Sequence, residues 1–309
     1  MKYLKLFESW TPVSDEELAS AQELHEIGVV SSQELEDLVR LKQAQQRIIR
    51  YKGVGNLDLS FCNLLTGLPA DLRVDGFLNL KYCTDLRSLP AGLVVRGNLD
   101  LYSCTSLESL PADLKAGDDL ILSGCSSLTS LPAGLVVGGT LDLSYCTGLT
   151  SLPAGLEVVG DLYLHGCIGL ESLPADLKAE DDLILFGCSS LTSLPAGLVV
   201  GGTLDLANCT GLTSLPAGLV VRGGLRGCTS LESVSADLVV KDYLDLTDCD
   251  QLKSLPAGLK VGGSLFLNQC TGLESLPADL VVDGDLTLGG CTGLKSLPAD
   301  LKIGGKIYR

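Results

Sequence analysis

A cysteine recurs every 21 residues along most of this 309-residue chain, from Cys62 to Cys291, and each cysteine heads nearly the same phrase. The one exception is a spacing of 19 residues between Cys209 and Cys228. A fixed period of this length is typical of a solenoid, in which near-identical coils bury their apolar faces only against their neighbours. We therefore expect one elongated array rather than a fold around a single central core.

The constant positions of the phrase indicate which side chains face inward. In CSSLTSLPAGLVVGGTLDLSYC, the step from Leu141 to Leu143 alternates apolar and polar residues, and it predicts a short strand that pairs in parallel with its equivalents in neighbouring coils. The step from Leu135 to Val137 predicts either a second short strand or an extended arc. Proline has no backbone donor, so the LPA segment is predicted at a bend. The pair Gly138–Gly139 supplies the next bend.

Residues 1–52 lack the repeat and are predicted to be helical. Ser14 and Ser31 each stand three residues before a glutamate, which is the capping-box signature, and apolar residues follow each serine at helical spacing. We expect residues 1–52 to form a helical hairpin that caps the open core of the first coil. An independent docking module is the alternative. Residues 53–309 are predicted to form the solenoid of about 12 coils, which makes the fold class an α/β repeat solenoid.

The charge and the cysteine pattern bound the possible partners and the compartment. A formal net charge of −16 argues against a nucleic-acid partner and favours a basic or neutral protein. The start, MKYLKLFESW, is charged and does not resemble a secretory signal, and no apolar stretch is long enough for membrane insertion. One evenly spaced cysteine per coil differs from a small disulfide scaffold. We expect a cytoplasmic monomer with reduced thiols.

The phrase LDLSYCTGLTSLPAGL resembles the leucine-rich repeat, whose core is L-x-x-L-x-L followed by Asn or Cys. It is similar to the LDLSGC variant of plant immune receptors. The short LP-x-x-L form is closer to bacterial repeats, including the invasion-plasmid-antigen effectors, and to repeats from bacteria and their phages. The resemblance covers residues 53–309 and implies a leucine-rich-repeat-like parallel β-solenoid that binds proteins. The family usually has Asn where this chain has Cys, so we expect a turn held more by packing than by hydrogen bonds.

No spacing in the chain indicates catalytic or metal chemistry. Coils stacked about 4.8 Å apart would bring neighbouring sulfurs close, but parallel side chains point in the wrong mutual direction for disulfides. No Cys-x-x-Cys or Cys/His spacing indicates a metal site. The histidines, His25 and His165, have no catalytic partners at suitable spacing. Gly-Gly followed by Asp also occurs in calcium-binding β-rolls, whose short period is absent here. We predict no enzyme activity, no cofactor and no metal.

Large apolar residues on the otherwise acidic strand face are the candidate binding residues. They occupy the slot between the two strand leucines, or the position two residues further on, and are expected to point outward. These candidate partner-binding residues are Ile121, Tyr163, His165, Ile184, Phe186 and Phe266. The four between residues 163 and 186 belong to adjacent coils and are expected to form one patch, since grouped aromatics mark interface cores. Scattered apolar residues without function are the alternative.

Two irregularities of the array bear on function. Residues 115–156 and 178–219 differ at only four positions, all expected outside the core, which implies a duplication of three coils. Selection on a binding face and simple tolerance of exposed change both explain these differences. Between Val221 and Cys228 the sequence GGLRG replaces the Leu-x-Leu strand, so we expect a bulge or kink there. Either that break orients the strand faces of the first eight and the last four coils differently, or it reflects drift in a redundant repeat.

The sequence therefore predicts a non-enzymatic protein–protein interaction scaffold. Its strands would present outward side chains with little ordering cost on binding. The alternative function is a structural or self-associating solenoid element, associated with a surface or a virion, that works through its regular face or its ends.

Overall fold

The computed structural model describes residues 12–309. The start MKYLKLFESW, on which the expectation about a secretory signal depends, lies outside the described residues. The described chain consists of two helices followed by 25 short strands. None of the helices within residues 12–309 combines the length and the apolar character that a membrane crossing requires.

The helices begin at the predicted capping boxes. Helix α1 spans Asp15–Glu26 and helix α2 spans Ser32–Arg50. In both caps, the serine hydroxyl accepts from the glutamate N–H three residues on, and that glutamate accepts from the serine N–H. Helix α2 buries Leu41, Ala44 and Ile48, whereas α1 buries none of its residues. Because these side chains join the apolar cluster of the first coil, α2 covers that end of the solenoid core. The division of the chain at residue 52 stays a prediction.

Every coil after the helices contributes short strands of two residues each. In chain order they are β1 Leu57–Asp58, β2 Arg73–Val74, β3 Leu78–Asn79, β4 Val94–Val95, β5 Leu99–Asp100, β6 Lys115–Ala116, β7 Leu120–Ile121, β8 Val136–Val137, β9 Leu141–Asp142, β10 Glu157–Val158, β11 Leu162–Tyr163, β12 Lys178–Ala179, β13 Leu183–Ile184, β14 Val199–Val200, β15 Leu204–Asp205, β16 Val220–Val221, β17 Leu225–Arg226, β18 Val239–Val240, β19 Leu244–Asp245, β20 Lys260–Val261, β21 Leu265–Phe266, β22 Val281–Val282, β23 Leu286–Thr287, β24 Lys302–Ile303 and β25 Ile307–Tyr308.

The strands form two parallel sheets that run the length of the solenoid. Odd-numbered strands form a 13-stranded sheet and even-numbered strands a 12-stranded sheet, each in unbroken order. Pairing places like on like, as in Leu141 beside Leu162 and Val137 beside Val158. The Leu-x-Val step is thus a strand rather than an arc. The predicted parallel solenoid of about 12 coils is confirmed; we number the coils from coil 1 at Cys62 to coil 12 at Cys291.

The core consists of ladders of identical side chains from successive coils. In coil 5, Leu141, Leu143, Cys146 and Leu149 are 0% exposed. The LPA segment and the Gly138–Gly139 pair lie outside the strands, at bends, as predicted. Since each leucine packs mainly against its equivalents in adjacent coils, the core grows by repetition and needs no central nucleus.

The cysteines add hydrogen bonds to this packing. All are free, and eleven are buried while Cys291 is half-buried. From coil 2 onward each sulfur lies 2.9–3.3 Å from a carbonyl oxygen of the preceding coil, as in Cys146 Sγ to Leu122 O. Burial raises the pKa of Cys83 and Cys104 to about 12, which keeps the thiols protonated and able to donate. The turn before each of these cysteines is thus both packed and hydrogen-bonded, and which of the two stabilises it more stays a prediction.

The 19-residue coil keeps its strand. Within β17, Leu225 pairs with Leu204 and Leu244 of the adjacent coils. The two missing residues come from the turn between β17 and Cys228, where only Gly227 remains. The expectation that GGLRG replaces the strand is therefore wrong, and both sheets continue through this coil. The sulfur contacts change instead. Cys228 Sγ bonds the Leu212 carbonyl oxygen and Cys249 Sγ bonds that of Cys228, whereas the usual acceptor is the leucine directly after a strand.

Candidate functional site

The six predicted binding residues lie on the face of the 13-stranded sheet or at its adjoining turn. All six side chains are half-buried rather than fully exposed. Ile121, Tyr163, Ile184 and Phe266 are the second residues of their strands, and the leucines beside them face the core. A side chain in this slot lies on the sheet and is flanked by the same slot of the coils on either side.

The structure brings four of these residues together and leaves two apart. Tyr163 and Ile184 are register partners on β11 and β13, and the rings of His165 and Phe186 have centroids 4.6 Å apart. Ile121 instead lies between aspartates on β5 and β9. Phe266 lies beside the aspartate of β19 and the threonine of β23. The predicted patch thus exists without Ile121 and Phe266.

Tyr145 completes this group, and the sequence reasoning missed it. Its ring centroid is 5.0 Å from that of His165, and its hydroxyl is 3.1 Å from His165 Nε2. The side chain is 54% exposed, enough to offer most of one face to a partner. Tyr145 directly precedes a cysteine, one residue beyond the two positions from which the candidates were taken, so the sequence reasoning passes over it. We call Tyr145, Tyr163, His165, Ile184 and Phe186 the central patch.

The backbone of Tyr145 is strained. Its φ is +58°, in the left-handed region that costs a residue with a side chain about 1–2 kcal/mol. The equivalent residue of the next coil, Gly166, also has a positive φ of +68°. A Cβ built on Gly166 would lie 2.8 Å from the Tyr145 ring, so glycine there makes room for the ring.

Carboxylates surround the central patch. Tyr163 Oη donates to Asp161 Oδ2 at 2.7 Å, and Asp161 Oδ1 accepts from the Asp182 N–H at 3.1 Å. This hydrogen bond, together with burial and the neighbouring negative charges, raises the pKa of Tyr163 to about 12. Oxygens of Asp161, Asp181 and Asp182 lie within 4.8 Å of one another, so they form a small negative site. The patch therefore presents aromatic rings beside exposed negative charge.

Many aspartates of this face hold the turns as well as carrying charge. Oδ1 of Asp142 accepts from the N–H two residues on, at 2.8 Å, and Asp205 does the same at 2.9 Å. At the same slot Ile184 has no acceptor, and the hydroxyl of Tyr163 is bonded to Asp161. Each lost turn bond costs about 1 kcal/mol. Coils 6 and 7 therefore lack this turn bond, and so does the coil of Ile121, which lies outside the patch.

The histidines take part in no catalytic arrangement within residues 12–309. His25 Nδ1 is 2.8 Å from the Val30 carbonyl oxygen, which ties the end of α1 to the following turn. His165 bonds a tyrosine rather than a carboxylate and a nucleophile. The raised thiol pKa values make the buried cysteines poor nucleophiles, because the thiolate is the reactive form.

Comparison with known proteins adds a general likeness. No protein-family model matches the chain, and no curated protein matches it significantly. A similar solved structure is the leucine-rich repeat domain of the type III effector XopL, at 18% identity over 94% of this chain and 88% of that chain, with a TM-score of 0.26. YopM from Yersinia enterocolitica WA-314 is 19% identical over 94% of this chain and 78% of that chain, with a TM-score of 0.25. YopM, a leucine-rich effector from Yersinia pestis, is 16% identical over 96% and 100%, with a TM-score of 0.22.

These likenesses carry no argument about function, because the TM-scores are low. The leucine-rich-repeat character rests on the chain itself: a 21-residue coil, parallel in-register strands and buried leucine ladders.

Proposed function

We propose that this chain is a non-enzymatic, protein-binding scaffold whose central patch docks a basic or neutral partner protein. The framework for docking is rigid, since β11 and β13 are each paired on both sides and their leucines are fully buried. Side chains displayed on such a framework lose little conformational entropy on binding.

The observation that carries the proposal is the composition of the patch. Tyr145, His165 and Phe186 form an unbroken row of ring contacts, and Tyr163 and Ile184 lie in the adjoining strand slots. Aromatic anchors surrounded by polar groups dominate the binding energy of protein interfaces.

The charge around the patch supports a basic partner. The carboxylates of Asp142 and Asp205 flank the strand slots of Tyr163 and Ile184, and Asp161 and Asp182 lie at the adjoining turn. Complementary charge of this kind speeds association and weakens with added salt. A cytoplasmic location is part of the proposal and depends on the single free thiol per coil.

The duplicated coils supply the variants for a test. Tyr145→Asn and Phe186→Ser each install the residue that the other copy has at the same position, Asn208 and Ser123. A partner recovered from native cytosol should bind the double variant at least tenfold more weakly in calorimetry, since anchor residues are worth about 2 kcal/mol or more. The affinity of the unaltered chain should also fall as salt is added.

Ser144→Ala is the matched control, because Ala207 is its counterpart in the other copy. It should bind like the unaltered chain. Equal affinity of the double variant and this control would refute the patch. If sedimentation instead showed that the unaltered chain and the control are oligomers and the double variant is a monomer, the patch would serve self-association.

A further inference from the structure

The residue before each cysteine has a left-handed backbone in eleven of the twelve coils. Glycine, which adopts this conformation freely, fills the position in four of them, namely Gly124, Gly166, Gly187 and Gly290. Coil 8 has Asn208 there, and asparagine tolerates the conformation better than most residues. Phe61, Tyr82 and Tyr145 fill the same position with aromatic side chains. Tyr145 belongs to the central patch. Phe61 and Tyr82 lie at the N-terminal end of the sheet, outside that patch, so the patch does not account for them.

Phe61 and Tyr82 continue into a row of exposed rings. The rings of Phe61 and Tyr82 stack with centroids 4.9 Å apart, and Tyr82 meets Tyr102 edge-on at 5.3 Å. The three side chains are 51%, 37% and 38% exposed, respectively. We call Phe61, Tyr82 and Tyr102 the N-terminal ridge. It crosses coils 1 to 3 on the same turn rim as the central patch, but in separate coils.

A cavity adjoins the ridge at Phe61. It has a volume of about 300 Å³ and lies between helix α2 and the first coil, at the lower end of volumes for ligand pockets. From α2 it is lined by Arg40, Gln43, Ala44 and Arg47, and from coil 1 by residues 59–62. Apolar ring surface and two guanidinium groups therefore meet in one concave site.

Two arginines line this site within an acidic protein. Arg47 Nη1 donates to the Asp58 carbonyl oxygen at 2.9 Å, and within residues 12–309 Arg47 has no ion pair. Arg40 pairs with Glu36 one turn away on the surface of α2, an exposed contact that a partner carboxylate can replace. A guanidinium has five donors in a planar fork suited to carboxylate. Lys81, beside the ridge, is already paired with Asp100.

We propose that the N-terminal ridge and its cavity form a second docking site, which binds an acidic, apolar-rich segment of a partner protein. A carboxylate of the segment bonds Arg47 and Arg40 in the cavity, and its apolar side chains pack on Phe61, Tyr82 and Tyr102. Charge complementarity selects this occupant, because Arg47 lines the cavity without an ion pair among the described residues, whereas carboxylates border the central patch. The chain then carries two docking surfaces of opposite preference on one rim.

The test uses an array of eight-residue peptides with glutamate at alternate positions and apolar or aromatic residues between. Each peptide has a glutamine and a lysine counterpart, and binding to the full chain is measured by fluorescence anisotropy. We expect the best glutamate peptide to bind at least tenfold more tightly than its glutamine form. Arg47→Gln should remove most of that difference.

The ridge is tested with Phe61→Asn and Tyr82→Asn, which place asparagine where coil 8 already has Asn208. Each variant should bind the glutamate peptide at least tenfold more weakly, while its thermal unfolding midpoint stays close to that of the unaltered chain. Gln269→Asn is the control, since it also places asparagine in the left-handed position before a cysteine but lies outside the ridge and the central patch. It should leave peptide affinity unchanged.

Three outcomes would overturn the proposal. An acidic partner at the ridge would be excluded by glutamine peptides that bind as well as glutamate peptides, or by lysine peptides that do so in a chain carrying Tyr145→Asn and Phe186→Ser. Unchanged affinity of the Phe61→Asn and Tyr82→Asn variants would exclude the ridge. Concentration-dependent dimers in sedimentation, lost in those variants, would assign the ridge to a second copy of the chain instead.

Discussion

Residues 115–156 and 178–219 are nearly the same sequence twice, yet they contribute different things to the molecule. Both segments bury the same leucines and the same cysteines, and both show Ile-then-Asp in successive strand slots. They differ at Gly117 and Glu180, Ser123 and Phe186, Ser144 and Ala207, and Tyr145 and Asn208. The first copy gives Tyr145 to the central patch and the second gives Phe186, so the patch exists only because the copies diverged.

One of these differences corrects an expectation. All four positions were expected outside the core, but Ser123 is buried, with 6% of its surface exposed. Phe186 at the equivalent position is half-buried and contacts His165. A small side chain at this position is covered by its surroundings, whereas a large one emerges from them. The comparison indicates that coil architecture is set by the ladders and surface character by the residues just before each cysteine.

The largest predicted effect tests whether the copies share one architecture. Leu122→Ala and Leu185→Ala remove equivalent strand leucines that are both 0% exposed. Each should lower the free energy of unfolding by about 2–5 kcal/mol, because a buried cavity is left in the ladder. Chemical denaturation should give equal losses to within about 0.5 kcal/mol.

A loss that differed by more than about 1 kcal/mol between the two variants would break the comparison, since neighbouring coils would then matter more than the repeat. If the slope of the free energy of unfolding against denaturant concentration also changed, the coils would no longer unfold together.

A smaller effect tests the divergence at Tyr145. Gly166→Ala and Gly187→Ala both place a Cβ on a residue with positive φ, which should cost each variant about 1–2 kcal/mol. A Cβ on Gly166 also meets the Tyr145 ring at 2.8 Å, whereas on Gly187 its nearest neighbour is 3.8 Å away. The free energy of unfolding should therefore fall by about 0.5–1.5 kcal/mol more in Gly166→Ala than in Gly187→Ala, because the ring contact of Tyr145 is displaced.

A double-mutant cycle checks the cause of that difference. In a Tyr145→Asn background the two alanine variants should become equal, because the ring that distinguishes them is gone. A difference that persisted would mean that Gly166 is constrained by something other than Tyr145.

The smallest effect concerns Tyr163, in the coil between the copies. Its pKa is raised to about 12 by the hydrogen bond to Asp161, by burial and by nearby carboxylates. Because the folded pKa lies above the ordinary value of 10.0, this contribution to stability is fully present below pH 10 and is lost as the pH rises through the folded value. The phenolate absorbance of the unaltered chain minus that of Tyr163→Phe should show one step near pH 12.

Asp161→Asn is the control for that titration, since it keeps the shape and removes the charge. It should move the step toward the ordinary value. A step already at the ordinary value in the unaltered chain would remove the Tyr163–Asp161 bond from the description of the patch.

Much of the architecture could be read from the spacing of leucine and cysteine. The capping boxes at Ser14 and Ser31 form as predicted, because capping depends on residues only three apart. The parallel register was also predictable, since a fixed repeat places each Leu on the same Leu of the next coil. The 19-residue coil was misread because the sequence does not show which residues a shortened coil omits. Pairing of Leu225 on both sides keeps the strand, and the turn absorbs the loss.

The sequence by itself determined the solenoid, the inward ladders and four members of the central patch, because these depend on local pattern and exact repetition. Only the tertiary structure decided the rest. The sulfur-to-carbonyl bonds, the left-handed turn that turns Tyr145 toward His165, and the cavity between α2 and Phe61 all join residues from different coils or elements. Their geometry depends on how one turn stacks over the next, and no single phrase of the repeat contains that information.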